Sequence, residues 1–365
     1  MHPSLYSTLR SVRTRGVRVP LTFALGTSAA VVTAVPLLLV DLETEAGMTG
    51  RSYLFCYTPS GARAIAGHIH EAVELVRGEP TTALDLARRL QRRFALLGVT
   101  GTVRMALSAL DMALWDAMAQ AAGQPLSILL GAAPRPLPAY DSRGLGLMPP
   151  AKLADEAEQL LAKGLKALKL RLGHETLAQD LAALDAVRRR IGPEIAIMVD
   201  YNQALTPAEA MARGRALDDR GVVWLEEPIA HDDYRSYARL AEALRMPVQI
   251  GENFNGAEGL LQALEARACD LMMPDVARIG GVTGWMQAAG IAAAAGIELS
   301  SHLMPEVSAQ LLCATPTRHW LEYVDWADGF MEEPLQIVDG MAVPSAAPGS
   351  GLKWDEGRVA RLETL

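Results

Sequence analysis

Cysteine is scarce in this chain, with only Cys56, Cys269 and Cys313 in 365 residues. Three is an odd number, the three lie far apart, and none has a metal-ligand spacing, so neither a disulfide framework nor a structural zinc site is expected. That usage fits thiols in a reducing cytoplasm. Excess positive charge is also lacking: the formal net charge is −8. This argues against a nucleic-acid-binding surface, which needs clustered Lys and Arg. Long uninterrupted apolar runs are missing as well. Residues 19–40 carry no charge and follow Arg10, Arg13, Arg15 and Arg18, which imitates a leader or anchor, but Pro20, Gly26 and Pro36 break the run. No membrane partner is expected, and a small soluble substrate is the default.

What is present is organised in two styles. Residues 10–19 alternate polar and apolar positions, and residues 36–43 and 49–57 flank a turn at 45–47, all β-type signals. Helical patterns then cover 60–77, 82–97 and 101–122. After a Pro-rich linker at 132–138, eight apolar runs of strand length alternate with helical patterns, at 137–142, 167–171, 195–200, 222–226, 248–252, 271–275, 297–302 and 320–323. Repeated βα units of this kind predict parallel strands closing into a barrel whose following loops line one rim. The expected organisation is an α+β capping domain over 1–130, a modified TIM-type (β/α)7β barrel over 131–324, and a segment over 325–365 that packs back on the cap.

Polar residues end nearly every one of these strands: Ser142, Lys169 with Arg171, Asp200 with Asn202, Glu226, Glu252, Asp275, His302 and Glu322. A single strand-end carboxylate often only caps the next helix. Three on consecutive strands, Asp200, Glu226 and Glu252, would repel one another unless a cation offsets them, and an all-oxygen set with room for water and substrate suits Mg²⁺. His302 is the one histidine at a strand end. Asp275 ends the preceding strand and can fix the ring's tautomer and raise its basicity, which makes the pair a candidate acid/base. Lys169 and Arg171, two residues apart on one strand, face the same way and suit an anion beside the metal.

The ordered segments Met198-Val199-Asp200-Tyr201-Asn202-Gln203, Trp224-Leu225-Glu226-Glu227-Pro228, Gly251-Glu252-Asn253, Met273-Pro274-Asp275, Ser300-Ser301-His302-Leu303 and His319-Trp320-Leu321-Glu322 resemble the enolase superfamily in its mandelate racemase subgroup, over nearly the whole chain. The resemblance implies Mg²⁺ on Asp200, Glu226 and Glu252, and His302 with Asp275 as one acid/base. It implies that Glu322 donates a hydrogen bond to the substrate carboxylate, that Lys169 and Ser142 hold that carboxylate, and that Asn202 meets a 2-hydroxyl. It also implies removal of the proton beside a carboxylate through a metal-stabilised enediolate, and a homo-oligomer.

One position departs from the subgroup, in which a second lysine two residues after Lys169 serves as base on the opposite substrate face; here it is Arg171. A guanidinium stays protonated, so two-base racemisation is in question and Arg171 is expected to act electrostatically. The pocket wall points the other way. The covering loop expected at 21–32 has no charge and offers hydroxyls only at Thr22, Thr27 and Ser28, while Phe55 and Tyr57 add aromatic surface, which favours an apolar or aryl substituent over a sugar. Arg143 is the expected polar reader if the substrate is a sugar acid. Three readings follow: a racemase or epimerase of an apolar 2-hydroxy acid, an acid-sugar dehydratase using His302, and a catalytically silent Mg²⁺-binding protein.

Overall fold

The structure is a computed structural model that describes residues 7–27 and 30–364; Ser28 lies outside them. The chain opens with an antiparallel sheet of β1 (Ser7–Gly26), β2 (Val31–Thr44), β3 (Thr49–Phe55) and the short β4 (Pro80–Thr81), in the order β3-β2-β1-β4. Three helices follow: α1 (Pro59–Glu74), α2 (Ala83–Arg93) and α3 (Gly101–Ala121). The Thr58 hydroxyl caps α1 by accepting from the Gly61 N–H at 3.0 Å, with Pro59 already set for the first turn. Each of the first two helices stops short of its expected end.

The covering segment differs from expectation. β1 runs to Gly26 and β2 starts at Val31, so 21–26 and 31–32 are strand near the tip of a hairpin, where the Thr27 N–H donates to the Ala30 carbonyl at 2.8 Å. Pairing with a partner strand supplies the backbone bonds that the uncharged, small-residue composition did not advertise, and Pro20 lies where the β1–β2 register shifts.

Eight parallel strands make the barrel: β5 (Leu137–Asp141), β6 (Ala167–Arg171), β7 (Ala196–Asp200), β8 (Val222–Glu226), β9 (Val248–Ile250), β10 (Leu271–Met272), β11 (Glu298–Leu299) and β12 (Leu321–Tyr323). They pair in chain order from β5 to β11, and β12 pairs with β5. The Ser301 N–H on the Trp320 carbonyl at 3.0 Å joins the last two strands and closes the barrel. Helices follow the first seven strands but not the eighth, which is the modified (β/α)7β arrangement. The last three βα strands are shorter than their apolar runs, so Glu252, Asp275 and His302 sit just beyond the ladder. Gly251, at φ 137°, makes one of those exits, where a Cβ would stand 2.9 Å from the Met273 nitrogen.

The chain's end touches both halves. β13 (Gln336–Val338) and β14 (Met341–Val343) form a hairpin, and β14 pairs with β5. Trp354 donates its indole N–H to Asp41 at 2.9 Å, and Arg15 bridges Asp41 and Glu356. Among the described residues no helix is long and apolar enough to cross a membrane. The three cysteines are free, with Cys56 and Cys313 buried.

Candidate active site at the barrel mouth

Side chains two residues apart on a strand share a face. Ala167, Met198 and Trp224 form a buried apolar floor inside the barrel with Tyr140 and Leu271. Lys169, Asp200 and Glu226, two residues further along the same strands, therefore stand on that floor and face the rim. The Trp224 indole donates to Glu226 Oε2 at 3.0 Å, tying floor to site.

Asp200, Glu226 and Glu252 each offer a carboxylate oxygen, all within 4.8 Å of one another. Asp200 and Glu226 are fully buried. Burial raises Glu226 to about 8, with Lys169 opposing the rise and Asp200, Glu252 and Glu322 adding to it. Such a donor set is short of positive charge, and its three hard oxygens fit a Mg²⁺-type ion.

Lys169 is the charge that is present. Its ammonium lies 2.7 Å from Glu322, 2.8 Å from Glu226 and 3.3 Å from Asp200. Burial works against the ammonium, but these carboxylates raise its pKa well above the usual lysine range. Glu322 also accepts the Leu303 N–H at 2.8 Å. Although burial alone would raise Glu322, Lys169 and His302 hold it down at about 2. Glu322, expected to donate a hydrogen bond to the substrate carboxylate, here accepts from Lys169 and from the Leu303 N–H.

His302 Nδ1 lies 2.7 Å from Asp275 Oδ2. Asp275 is itself fixed by accepting the Ala277 N–H at 2.7 Å as the cap of a short helix. The opposite ring nitrogen, Nε2, lies 3.4 Å from Glu252 and 3.9 Å from Glu322. The histidine is therefore closer to the carboxylate trio than its place in the chain suggests. Burial lowers its pKa, but Glu252, Glu322 and the bond to Asp275 outweigh that and bring it to about 9.

Three expected contacts are redirected. Arg171 donates to the Gly144 carbonyl at 2.7 Å and to the Ser142 carbonyl and hydroxyl at 3.3 and 3.1 Å. Ser142, 1% exposed, is thereby engaged by Arg171 instead of facing the cavity. Arg143, expected as a polar reader, is turned away: it chelates Asp141, at 2.7 Å for the closest pair, and reaches Asp325 at 3.2 Å. Asn202, at φ 44°, donates its amide to Asp200 at 3.0 Å and keeps a buried Oδ1 with no hydrogen-bond partner beside the cavity.

The cavity measures about 260 Å³. Its polar side is Lys169, Arg171, Asp200, Asn202, Glu252, His302 and Glu322. Its other side is mainly apolar: Leu25, Val32 and Val35 with Thr27 from the hairpin, Phe55 and Tyr57 at the end of β3, and Leu303, Val324 and Trp326. Phe55 packs against Tyr57 with ring centroids 4.3 Å apart and against Trp326 at 5.0 Å. Trp326 was not foreseen, because it follows the last strand in what reads as a terminal segment; an aromatic four residues after a strand-end glutamate was the only signal.

Residues 152–358 match the enolase C-terminal domain-like family, and residues 8–131 match the mandelate racemase / muconate lactonizing enzyme N-terminal domain. The chain belongs to this family of the enolase superfamily, whose members are enzymes. An enolase from the alpha proteobacterium BAL199, solved with bound Mg, is 43% identical with a TM-score of 0.96, covering 98% of this chain and 99% of that one. An enolase from Bradyrhizobium complexed with magnesium and mandelic acid is 39% identical with a TM-score of 0.94, covering 99% of each. L-talarate/galactarate dehydratase of Salmonella typhimurium is 30% identical over 326 residues, 89% of this chain and 82% of its own length. The relatives thus include isomerases and acid-sugar dehydratases.

Proposed function

We propose that this protein removes the α-proton of a 2-hydroxycarboxylate bearing an apolar or aryl substituent, as a racemase or epimerase, with His302 and Asp275 as acid/base and Mg²⁺ held by Asp200, Glu226 and Glu252. The observation that carries this reading is the position of His302, anchored by Asp275 at Nδ1 while Nε2 lies at a cavity walled by Phe55, Tyr57 and Trp326.

In the neutral ring Nδ1–H donates to Asp275, which leaves the Nε2 lone pair to take the proton. Against burial, the surrounding carboxylates raise the ring's affinity for its proton, and a cation held by Glu252 would weaken that pull and favour the neutral ring. Bound Mg²⁺ would supply positive charge against the carboxylate oxygens as the α-proton leaves. Lys169 offers a second fixed cation toward the same oxygens, and Glu322 holds Lys169 in place. Asn202, which lines the cavity with its amide braced on Asp200, would meet the 2-hydroxyl. The apolar wall accepts a substituent that makes no hydrogen bonds, whereas a polyhydroxylated chain would leave its hydroxyls unpaired there.

A second reading, dehydration of an acid sugar, is favoured by Arg171. Its donors are committed to Gly144 and Ser142, so a base on the second face is missing from the position where racemisation places one. His302 would then take the α-proton and return a proton to the departing β-hydroxyl. A panel of 2-hydroxy acids and acid sugars, assayed with Mg²⁺ by polarimetry and by keto-acid formation, tests the reading. Loss of optical rotation of an aryl or alkyl 2-hydroxy acid without keto acid is the expected result; keto acid from sugar acids alone would replace it with the second.

A further inference from the structure

A second polar cavity, of about 200 Å³, lies at the amino-terminal end of α3 and shares no lining residue with the catalytic one. Thr100, Gly101, Arg104, His231, Asn253 and Arg278 contribute to it. Arg104 is the anomaly. It is only 8% exposed, its Nε has no partner, and among the described residues its guanidinium makes no hydrogen bond. Among the described residues its only salt-bridge partner, Glu258, is 3.8 Å away on a side chain 73% exposed, too distant and too hydrated to compensate a buried charge.

Three other buried arginines meet a carboxylate, and a fourth, Arg171, donates to Gly144 and Ser142. Arg15 meets Asp41 at 2.7 Å, Arg143 meets Asp141 at 2.7 Å, and Arg213 meets Asp180 at 2.6 Å. Burial without such a partner lowers the pKa of Arg104 below the usual arginine value. A buried cation left unpaired is costly, and a site that keeps one ordinarily has its counter-charge supplied from elsewhere.

The surroundings select the sign and kind of that counter-charge. Arg278 lines the same cavity with its guanidinium carbon 4.9 Å from the Tyr57 ring centroid; unlike Arg104 its burial is offset by Tyr57, Asp275 and Glu252, which raise its pKa, but among the described residues its Nε has no hydrogen-bond partner. The 21-residue α3 directs its amino terminus at the cavity, and the Thr100 hydroxyl does not cap it. First-turn N–H groups without intrahelical partners, together with the positive end of the helix dipole, favour anion oxygens. Asn253 also lines the cavity, with its amide nitrogen committed to Glu227 at 2.7 Å and Glu252 at 3.2 Å, so the donors left for an anion are the arginines and the helix end.

We propose that this cavity binds a small oxyanion, with Arg104 and Arg278 as its charged contacts and the amino terminus of α3 behind it. Tetrahedral anions and carboxylates share this chemistry, and the test separates them. Sulfate, which stays soluble beside Mg²⁺, is titrated into the Mg²⁺-loaded protein at constant ionic strength against chloride, with acetate in a parallel series, and Tm is followed.

The expected result is a saturable rise of roughly 2 °C or more in the millimolar range, above the linear salting effect. Arg104→Met should lose that rise, start from a Tm in chloride at or above that of the unmodified protein, and keep its turnover. An Arg104-dependent response to acetate as well assigns carboxylates; a response to sulfate alone assigns a tetrahedral anion. Only a linear rise, or a saturable one that Arg104→Met retains, overturns the proposal. Should Arg104→Met fail to fold, Glu258→Gln decides: removing the competing exposed carboxylate should tighten sulfate binding roughly two-fold, and an unchanged midpoint would count against the site.

Discussion

Arg171 and Ser142 are joined by a hydrogen bond of 3.1 Å, from the guanidinium to the hydroxyl, with the same guanidinium also on the Gly144 carbonyl at 2.7 Å. Two side chains expected to meet the substrate are therefore largely occupied with each other and with the backbone. Arg171 is held in place by these bonds, so on its face of the substrate a racemisation would draw the proton from water, while His302 serves the other face.

Arg171→Lys should open the second face. A lysine at this position would stand near Lys169, and a like charge in a buried site lowers an amine's pKa toward the range where it can act as a base. The expected outcome in D₂O is faster α-hydrogen exchange of the enantiomer whose proton lies on the Arg171 face, followed by NMR. Losing the bonds to Gly144 and Ser142 should cost about 1–3 kcal/mol of stability, read by denaturant titration. No gain of exchange on the second face would argue that Arg171 does not stand where a base is needed.

Trp326→Ala should change which substrates are accepted. The indole packs on Phe55 at 5.0 Å and forms part of the apolar wall. Its loss should lower kcat/KM for an aryl 2-hydroxy acid by roughly ten-fold or more. The effect on a short-chain 2-hydroxy acid should be much smaller, and equal losses for both would place the substituent elsewhere.

Glu306 gives the fold a pH dependence separate from catalysis. It is buried, accepts the Tyr53 hydroxyl at 2.6 Å, and burial raises it to about 7. A carboxyl whose folded pKa exceeds its unfolded value binds its proton more tightly when folded. Its contribution is therefore fully present below about 4.5, is lost as pH rises through about 7, and is worth up to about 3 kcal/mol. Glu306→Gln stays neutral, so relative to the unmodified protein it should gain stability at pH 8.5 and little at pH 4.5. An equal difference at both values, by urea denaturation, would refute this.

Much of the barrel site was legible because two periodicities meet in it. The βα repeat placed Asp200, Glu226, Glu252, Asp275 and His302 on one rim, and the strand alternation put Lys169 and Arg171 on one face. Which partner each charge meets was not legible. Arg143 turns to Asp141, two residues before it, and to Asp325, far along the chain; Ser142 turns to Arg171; and Lys169 draws Glu322 into an ion pair. A covering loop is expected at 21–32 from the family resemblance, whereas 21–26 and 31–32 are strand, held by cross-hairpin pairing. Trp326 lay beyond the last countable strand, and only the tertiary fold returns it to the cavity.

The most direct test of the central claim is α-hydrogen exchange in D₂O by His302→Asn, measured by NMR on the preferred substrate with Mg²⁺ binding followed by calorimetry. Because His302 handles the proton and the carboxylate trio holds the metal, exchange should fall at least about 100-fold while Mg²⁺ affinity stays within a few-fold. Exchange retained within about ten-fold of the unmodified enzyme would contradict the assignment of His302 as the acid/base.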